Sequence, residues 1–585
     1  MKIMIKLLNP KNPDFSELDE KSKEIMFKTI NFFEKKGLEK ILEDDHSCVW
    51  YEDFIEFQKK EKIFSSLLTP SEYALEGNPD ARWDTNRNCY FNEITSFYGA
   101  PYWYIWQVSI LGLGPIWMSN NEIIKKKTAQ ALIDGGIFAF GLSEKEHGAD
   151  LYSSEMKLIP QEDGTYKANG EKYYIGNGQT AAFTSTFGKI ADKNGNILQY
   201  PESRKDKSSY AFFAANFEIE GYETIKNILQ NQNYVAEYAL NNYPVTENEI
   251  LAKGQEAWDM ALNAVNVGKY QLGWSSIGIC THAFFEALDH ASKRILYNHA
   301  VTEFSHIKQF FVDSYCRLIA MKLVALRTKD YIRTASLNDR RYLLYNPIIK
   351  MKVTTEGVTV INILHDIIAA KGYEKDTYFQ GALKYIGANP KLEGTAHVNM
   401  ALIVKFMPNY FGIGVSHVEY PDVPKIIDDR NDSFLFNQGS AQDLSRISFH
   451  DYHIAYDKYN LPNVNILKEQ IEIFKEMCIK APPTPNQGRD IDFVLINGEL
   501  FTLAVYGQLI LENAEIYGED NDLIEQIFDC LIRDFSLFAT KLYSKPITSE
   551  KQMEFCLKMI KKPVQDMKRF ECILEKVYAH KGVYR

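Results

Sequence analysis

The chain has 585 residues, of which 45% are hydrophobic, 13% aromatic and 24% charged. That is roughly four structural units at about 150 residues each, and the aromatic content excludes a mostly disordered chain. The 66 Lys and Arg against 77 Asp and Glu leave a net charge of −11, with no basic stripe, so nucleic acid is not an expected partner.

The eight cysteines are scattered without a CxxC pair, which reads as reduced thiols in a cytoplasmic protein. The apolar run 1–8 is too short for a signal peptide. Residues 1–135 read as a helical domain, with helices over 16–36, 51–64 and 120–134. Between 94 and 121 there is no charged residue, and Tyr102, Trp103, Tyr104, Trp106 and Trp117 fall there. A spanning helix needs about 20 apolar residues. Gly99, Pro101, Gly112, Gly114 and Pro115 interrupt the run, so it reads as a buried helix plus a loop and not as an integral membrane segment.

Residues 136–252 read as a β domain. A hairpin over 156–168 turns on Asp163-Gly164, a pair suited to a type I′ turn. Strands are expected over 209–217, 234–240 and 243–246. Residues 253–407 return to long helices: 256–294 as one or two, then 302–336 and 346–371. Residues 408–485 read as a turn-rich connection, with a break at the Pro-rich 481–486. The last region, 486–585, reads as a further helical domain with helices over 490–517, 522–543 and 549–580.

The most informative residues are 138–178. They hold Gly-Leu-Ser-Glu-Lys-Glu-His-Gly-Ala-Asp at 141–150 and Asn-Gly-Glu-Lys-Tyr-Tyr-Ile-Gly-Asn-Gly at 169–178. In this order, within a helix–β–helix layout, they resemble the two flavin-binding segments of the acyl-CoA dehydrogenase family, and the resemblance covers about residues 95–405. It implies an N-terminal helical domain, a middle β-barrel domain and a C-terminal four-helix bundle, here followed by extra helices. It also implies FAD, held by Leu142, Ser143, His147, Gly148, Ala149, Tyr174, Ile175 and Gly176. Ser143 offers a hydroxyl and a backbone NH, and Tyr174 and Ile175 offer apolar surface. Two departures stand out. Gly176 replaces a family Thr or Ser whose hydroxyl lies beside flavin N5, and Ala149 replaces a Ser that reaches the pyrophosphate. Backbone NH groups can serve both ends.

The resemblance further implies that Arg294, at the end of a long helix, pairs with the pyrophosphate of a neighbouring subunit's FAD, with Gln309 following it. Glu393, in Leu392-Glu393-Gly394-Thr395, stands as the general base that removes a proton α to a thioester, and Thr395 joins the cofactor set. The alternative base position of some family members falls at Gly268, which has no side chain. Lys269 beside it stands where many members have Arg. The family's Gln-x-x-Gly-Gly loop becomes 365–372, where Asp366 would repel a pyrophosphate unless paired, for instance with Lys371.

The expected activity is flavin-dependent α,β-dehydrogenation of an acyl-CoA or acyl-carrier-protein thioester. Electrons would pass to an electron-transfer flavoprotein or, in an oxidase, to O2. A homodimer is expected. The alternative from another class is a non-catalytic acyl-binding scaffold on the same fold. His450 and His453 are too few ligands for a metal site, and no P-loop, Rossmann fingerprint or Gly-x-Ser-x-Gly elbow is present.

Overall fold

The computed structural model describes residues 5–425, 433–441 and 444–584. Part of the stretch expected to be turn-rich, 426–432 and 442–443, lies outside the described residues. The chain gathers into two compact units, one spanning 17–271 with 427–442, the other 1–16, 272–426 and 443–585.

In the first unit the charge-free stretch forms the end of the helix Thr85–Tyr98 and the whole of the helix Ala100–Met118, rather than a helix and a loop. Asp84 caps the first by accepting from Asn86 N. Pro101 lies in the first turn of the second, where a missing NH costs no hydrogen bond. Two glycines of the run, Gly112 and Gly114, serve close approach. A Cβ on Gly112 would come within 2.5 Å of the Ala139 carbonyl oxygen, and one on Gly114 within 3.2 Å of the Ala264 Cβ. Ala264 belongs to the helix Gly254–Lys269, which was expected with the later helices and is part of this unit.

Ala139 lies on β1 (Phe138–Gly141), the first of eight strands. The others are β2 (Lys157–Pro160), β3 (Tyr166–Gly176), β4 (Phe183–Ile190), β5 (Tyr210–Ala215), β6 (Tyr222–Asn227), β7 (Val235–Val245) and β8 (Ile250–Lys253). The order is β6-β7-β3-β2-β4-β5-β8, with β1 parallel to β4. No pairing joins β6 to β8 among the described residues, so the expected barrel is an eight-stranded sheet with β6 as a largely exposed edge. At the β2–β3 turn only Gly164 takes a positive φ, 83°. Asp163 instead accepts from Thr165 N, so the turn is not type I′. The two strands expected over 234–246 are one, β7.

A buried ion pair fastens the loop after β1 to β3. Lys172 Nζ, with no exposed side chain, donates to Glu144 Oε1 at 2.7 Å and to the Leu142 carbonyl at 3.0 Å. Glu144 also accepts from Ser154 Oγ, Glu155 N and Met156 N. Burial raises the Glu144 carboxyl, but the Lys172 charge and these donors outweigh it and hold it below the ordinary 4.5.

The second unit is helical. Gln271–Lys293 and Ser305–Arg333 are its long helices. The helix expected over 346–371 is interrupted: Tyr342–Ile348 and Thr354–Ile368 flank a π-helical turn, Ile349–Val353. Such turns carry an extra residue that reorients a side chain. Here it aims the fully buried Lys350, whose ammonium donates to the Pro390 carbonyl at 2.8 Å and the Gly394 carbonyl at 2.5 Å. A helix over Pro462–Lys480 occupies part of the expected turn-rich connection. After Ile491–Tyr517 and Asn521–Tyr543, the helix expected over 549–580 splits into Glu550–Met559 and Met567–Tyr578. Pro563 explains the break, and Asp566 caps the second part by accepting from Lys568 N and Arg569 N. The Ile491–Tyr517 helix is long and apolar enough to cross a membrane by length and composition alone, yet it is mostly buried within the protein.

Charged pairs tie these late helices to Ser305–Arg333. Arg317 bonds Asp534 through two donors, both at 2.8 Å, and Glu356 at 2.7 Å. Arg327 bonds Glu512 at 2.7 Å.

Two stability predictions follow from these contacts. Lys350→Met strands the buried Pro390 carbonyl and should cost about 1–3 kcal/mol in urea unfolding; a loss below about 0.5 kcal/mol contradicts the assignment. Because Glu144 titrates below its unfolded value, its contribution is complete above pH 4.5 and fades as pH falls through the depressed folded value. Glu144→Gln should therefore flatten the acid limb of the melting temperature against pH, and an unaltered limb refutes the role.

Candidate functional site

Within the first unit the structure brings the two expected flavin segments together. β1 ends at Gly141, and the chain continues through 142–149 beside β3. Tyr173 N donates to the Ser143 carbonyl at 3.0 Å, and the Lys172 ammonium holds the Leu142 carbonyl and Glu144. Leu142, Ser143 and His147 are half-buried, while Gly148 and Ala149 are exposed. A Cβ on Gly148 would meet nothing within 4 Å, so open space lies above the loop. His147 Nε2 stands 3.6 Å from Glu155. Glu144, His147 and Glu155 could in principle chelate a cation, but Glu144 is already engaged by four donors.

On β3 the register with β7 shifts between Lys172 and Ile175, and Tyr174 has a φ of 65°. A bulky residue rarely takes that conformation outside a functional or strained site. The irregularity turns Tyr174 outward, 62% exposed, with Tyr173 edge-on at 4.7 Å. Ile175 departs from expectation. Its side chain belongs to the sheet's hydrophobic core and cannot form a wall, which leaves only its backbone to a ligand. Gly176 is buried, and a Cβ there would fall 2.8 Å from Tyr104 Cε1 and 2.8 Å from Val108 Cγ1. Gly268 is similar: a Cβ would fall 2.7 Å from Leu111 Cδ2, and the Gly268 carbonyl accepts from Gln107 Nε2 at 3.0 Å. A base at that position has no room. Lys269 beside it is buried.

In the second unit Glu393 sits in a left-handed turn, φ 52°, followed by Gly394 at 82°. Sequence reasoning missed what holds this turn. Asn399 Nδ2 donates to the Gly394 and Thr395 carbonyls, both at 3.0 Å, and Lys350 holds the Gly394 and Pro390 carbonyls. Asn389 Nδ2 reaches Ser276 Oγ at 3.0 Å, on the Gln271–Lys293 helix. No sequence signal marks Lys350, because a π-turn has no signature in residue spacing. Glu393 is half-buried. Thr395, expected to touch the cofactor, is exposed, and its hydroxyl caps the Ala396–Ile403 helix by accepting from Val398 N.

Arg294 lies at the other end of the Gln271–Lys293 helix, about 27 Å from Ser276 at 1.5 Å per residue. A single subunit therefore does not unite Arg294 with Glu393. Arg294 is exposed where the helix gives way to a short hairpin, Ile295–Leu296 with His299–Ala300. It borders a cleft of about 370 Å³ lined by Glu286, Asp289, His290, Lys293, Arg294 and Lys371. Burial, then the charges of Arg294 and Lys371, keep the His290 ring below its ordinary value. Lys371 pairs with Glu374. Gln309 donates to Asp313 on its own helix at 2.9 Å. The rings of His450 and His453 bond to Arg341 and Glu512, and to Asp451 and Glu472.

Residues 256–407 match the family model described as acyl-CoA dehydrogenase, C-terminal domain. An acyl-CoA dehydrogenase of Bacillus subtilis is 24% identical over 301 residues, 51% of this chain and 75% of that protein. A short-chain-specific acyl-CoA dehydrogenase of Megasphaera elsdenii is 22% identical over 342 residues, 56% of this chain and 85% of that protein. The fold of an acyl-CoA dehydrogenase complexed with FAD from Bacillus anthracis superposes with a TM-score of 0.73 at 15% identity, covering 98% of this chain and 97% of that one. Residues 256–407 thus match the C-terminal domain of the acyl-CoA dehydrogenases, and the chain as a whole shares their fold.

Proposed function

We propose that the chain is an FAD-dependent oxidoreductase that dehydrogenates an acyl thioester between its α and β carbons, with Glu393 as the base. The observation that carries this reading is the joining of the two segments, where Lys172 and Tyr173 on β3 bond Leu142, Ser143 and Glu144 in the loop after β1. The residues fit FAD. An exposed aromatic face at Tyr174 and open space above Gly148 suit a flat ring and its tail. When bound, FAD supplies the acceptor for the β-hydride. Leu142, Ser143, His147, Gly148, Ala149, Tyr174 and the backbone of Ile175 and Gly176 would hold it. Glu393 takes the α-proton, and the bonds to the Gly394 carbonyl fix the turn that carries it.

The C-terminal helices do not by themselves favour an oxidase, since the Bacillus anthracis protein, a dehydrogenase by name, is matched along nearly its whole length. We therefore favour an electron-transfer flavoprotein as acceptor. The separation of Arg294 from the Glu393 turn supports a homodimer in which Arg294 serves the partner's cofactor.

Purified protein should be yellow and bind FAD, and Glu393→Gln should keep the colour while losing about 10²–10⁴-fold in dye reduction across a panel of acyl-CoAs. A colourless wild type sinks the reading, and full activity of the variant removes Glu393 from it. Mixing Glu393→Gln with Arg294→Ala subunits should restore activity, because one site of each mixed dimer then holds both residues intact; mixtures as inactive as their components place Arg294 in its own subunit's site.

A further inference from the structure

Tyr104 is the next residue that the geometry draws into the site. It lies on the Ala100–Met118 helix, between residues that face the interior: Tyr102, Trp103, Ile105 and Trp106 are at most 2% exposed. Tyr104 alone among them is half-buried. Its ring stands against the end of β3. A Cβ built on Gly176 would lie 2.8 Å from Tyr104 Cε1 and 2.9 Å from its hydroxyl oxygen. The phenol thus fills the volume that any side chain at 176 would enter. The contact is not accidental slack. Asn177, at φ 61°, clamps the segment down by donating from Nδ2 to the Ile105 carbonyl at 3.2 Å and the Phe138 carbonyl at 3.0 Å. Helix, strand end and β1 are locked together at this point.

We propose that Tyr104, standing in the space that residue 176 leaves empty, presents its hydroxyl to the flavin ring held by the 174–176 segment. This rests on the FAD reading above and extends it to a helix that neither flavin segment contains. The side chain of Ile175 is in the core and Gly176 has none, so between Tyr174 and Asn177 the β3 end offers a ligand only backbone. A phenol can donate and accept. It can therefore bond a ring nitrogen that is an acceptor in the oxidised cofactor and a donor in the reduced one, and so influence both the colour and the potential of the bound flavin.

The test uses FAD-loaded wild type, Tyr104→Phe and Val108→Ala. Val108 walls the same space but carries no hydroxyl. Tyr104→Phe should shift the visible flavin band and the midpoint potential, and weaken FAD binding roughly three- to tenfold, the measure of one lost hydrogen bond. Val108→Ala should leave band and potential where they were. If Tyr104→Phe keeps the wild-type spectrum, potential and affinity, the inference falls. It falls as well if Val108→Ala moves them equally, since packing alone then explains the effect. A wild type that binds no FAD overturns the proposed function itself and this inference with it; a yellow wild type beside an unaltered Tyr104→Phe overturns this inference alone.

Discussion

A charge taken out of water must be matched where it lies, and that constraint organises both units. In the first, Lys172 has no exposed side chain and Glu144 is nearly as dry. Leaving either without the other would cost several kcal/mol. The pair therefore ties the loop after β1 to β3 through directed bonds, which apolar contact does not supply. In the second, Lys350 reaches two carbonyls of the Glu393 turn from inside the helix layer. Both candidate functional segments are irregular backbone held by a buried lysine.

The same constraint explains the C-terminal region. Arg317 and Arg327 are almost fully buried on Ser305–Arg333, and their carboxylate partners include Asp534 and Glu512 on the last long helices. Without those helices, two guanidinium groups would lose partners in a dry interior. The helices Ile491–Tyr517 and Asn521–Tyr543 are thus part of the second unit's interior rather than an appendage.

Both candidate segments carry a strained residue. Tyr174 and Glu393 are both non-glycine residues at positive φ. Each has a glycine within two positions and neighbours held by directed hydrogen bonds: Tyr173 and Asn177 beside Tyr174, Gly394 and Thr395 beside Glu393. Conformations that cost about 1–3 kcal/mol persist only with such support. The buried glycines follow a related logic: Gly112, Gly114, Gly176 and Gly268 all lie where the Ala100–Met118 helix meets other backbone or side chains. That helix is the common wall of the first unit's candidate site.

The sequence by itself determined the succession of helix, sheet and helix, because hydrophobic periodicity and turn residues act locally. It also determined the two segments and the Glu-Gly pair on which the candidate site rests. Only the tertiary structure decided which atoms of those segments are available. Ile175 alternates into the core with the strand pleat, Thr395 spends its hydroxyl on a helix cap, and Lys371 turns to Glu374. It also decided the π-turn that aims Lys350 and the tight seat of Tyr104 on Gly176. These depend on contacts between residues 40 to 72 positions apart, and no local pattern encodes a distance across the fold.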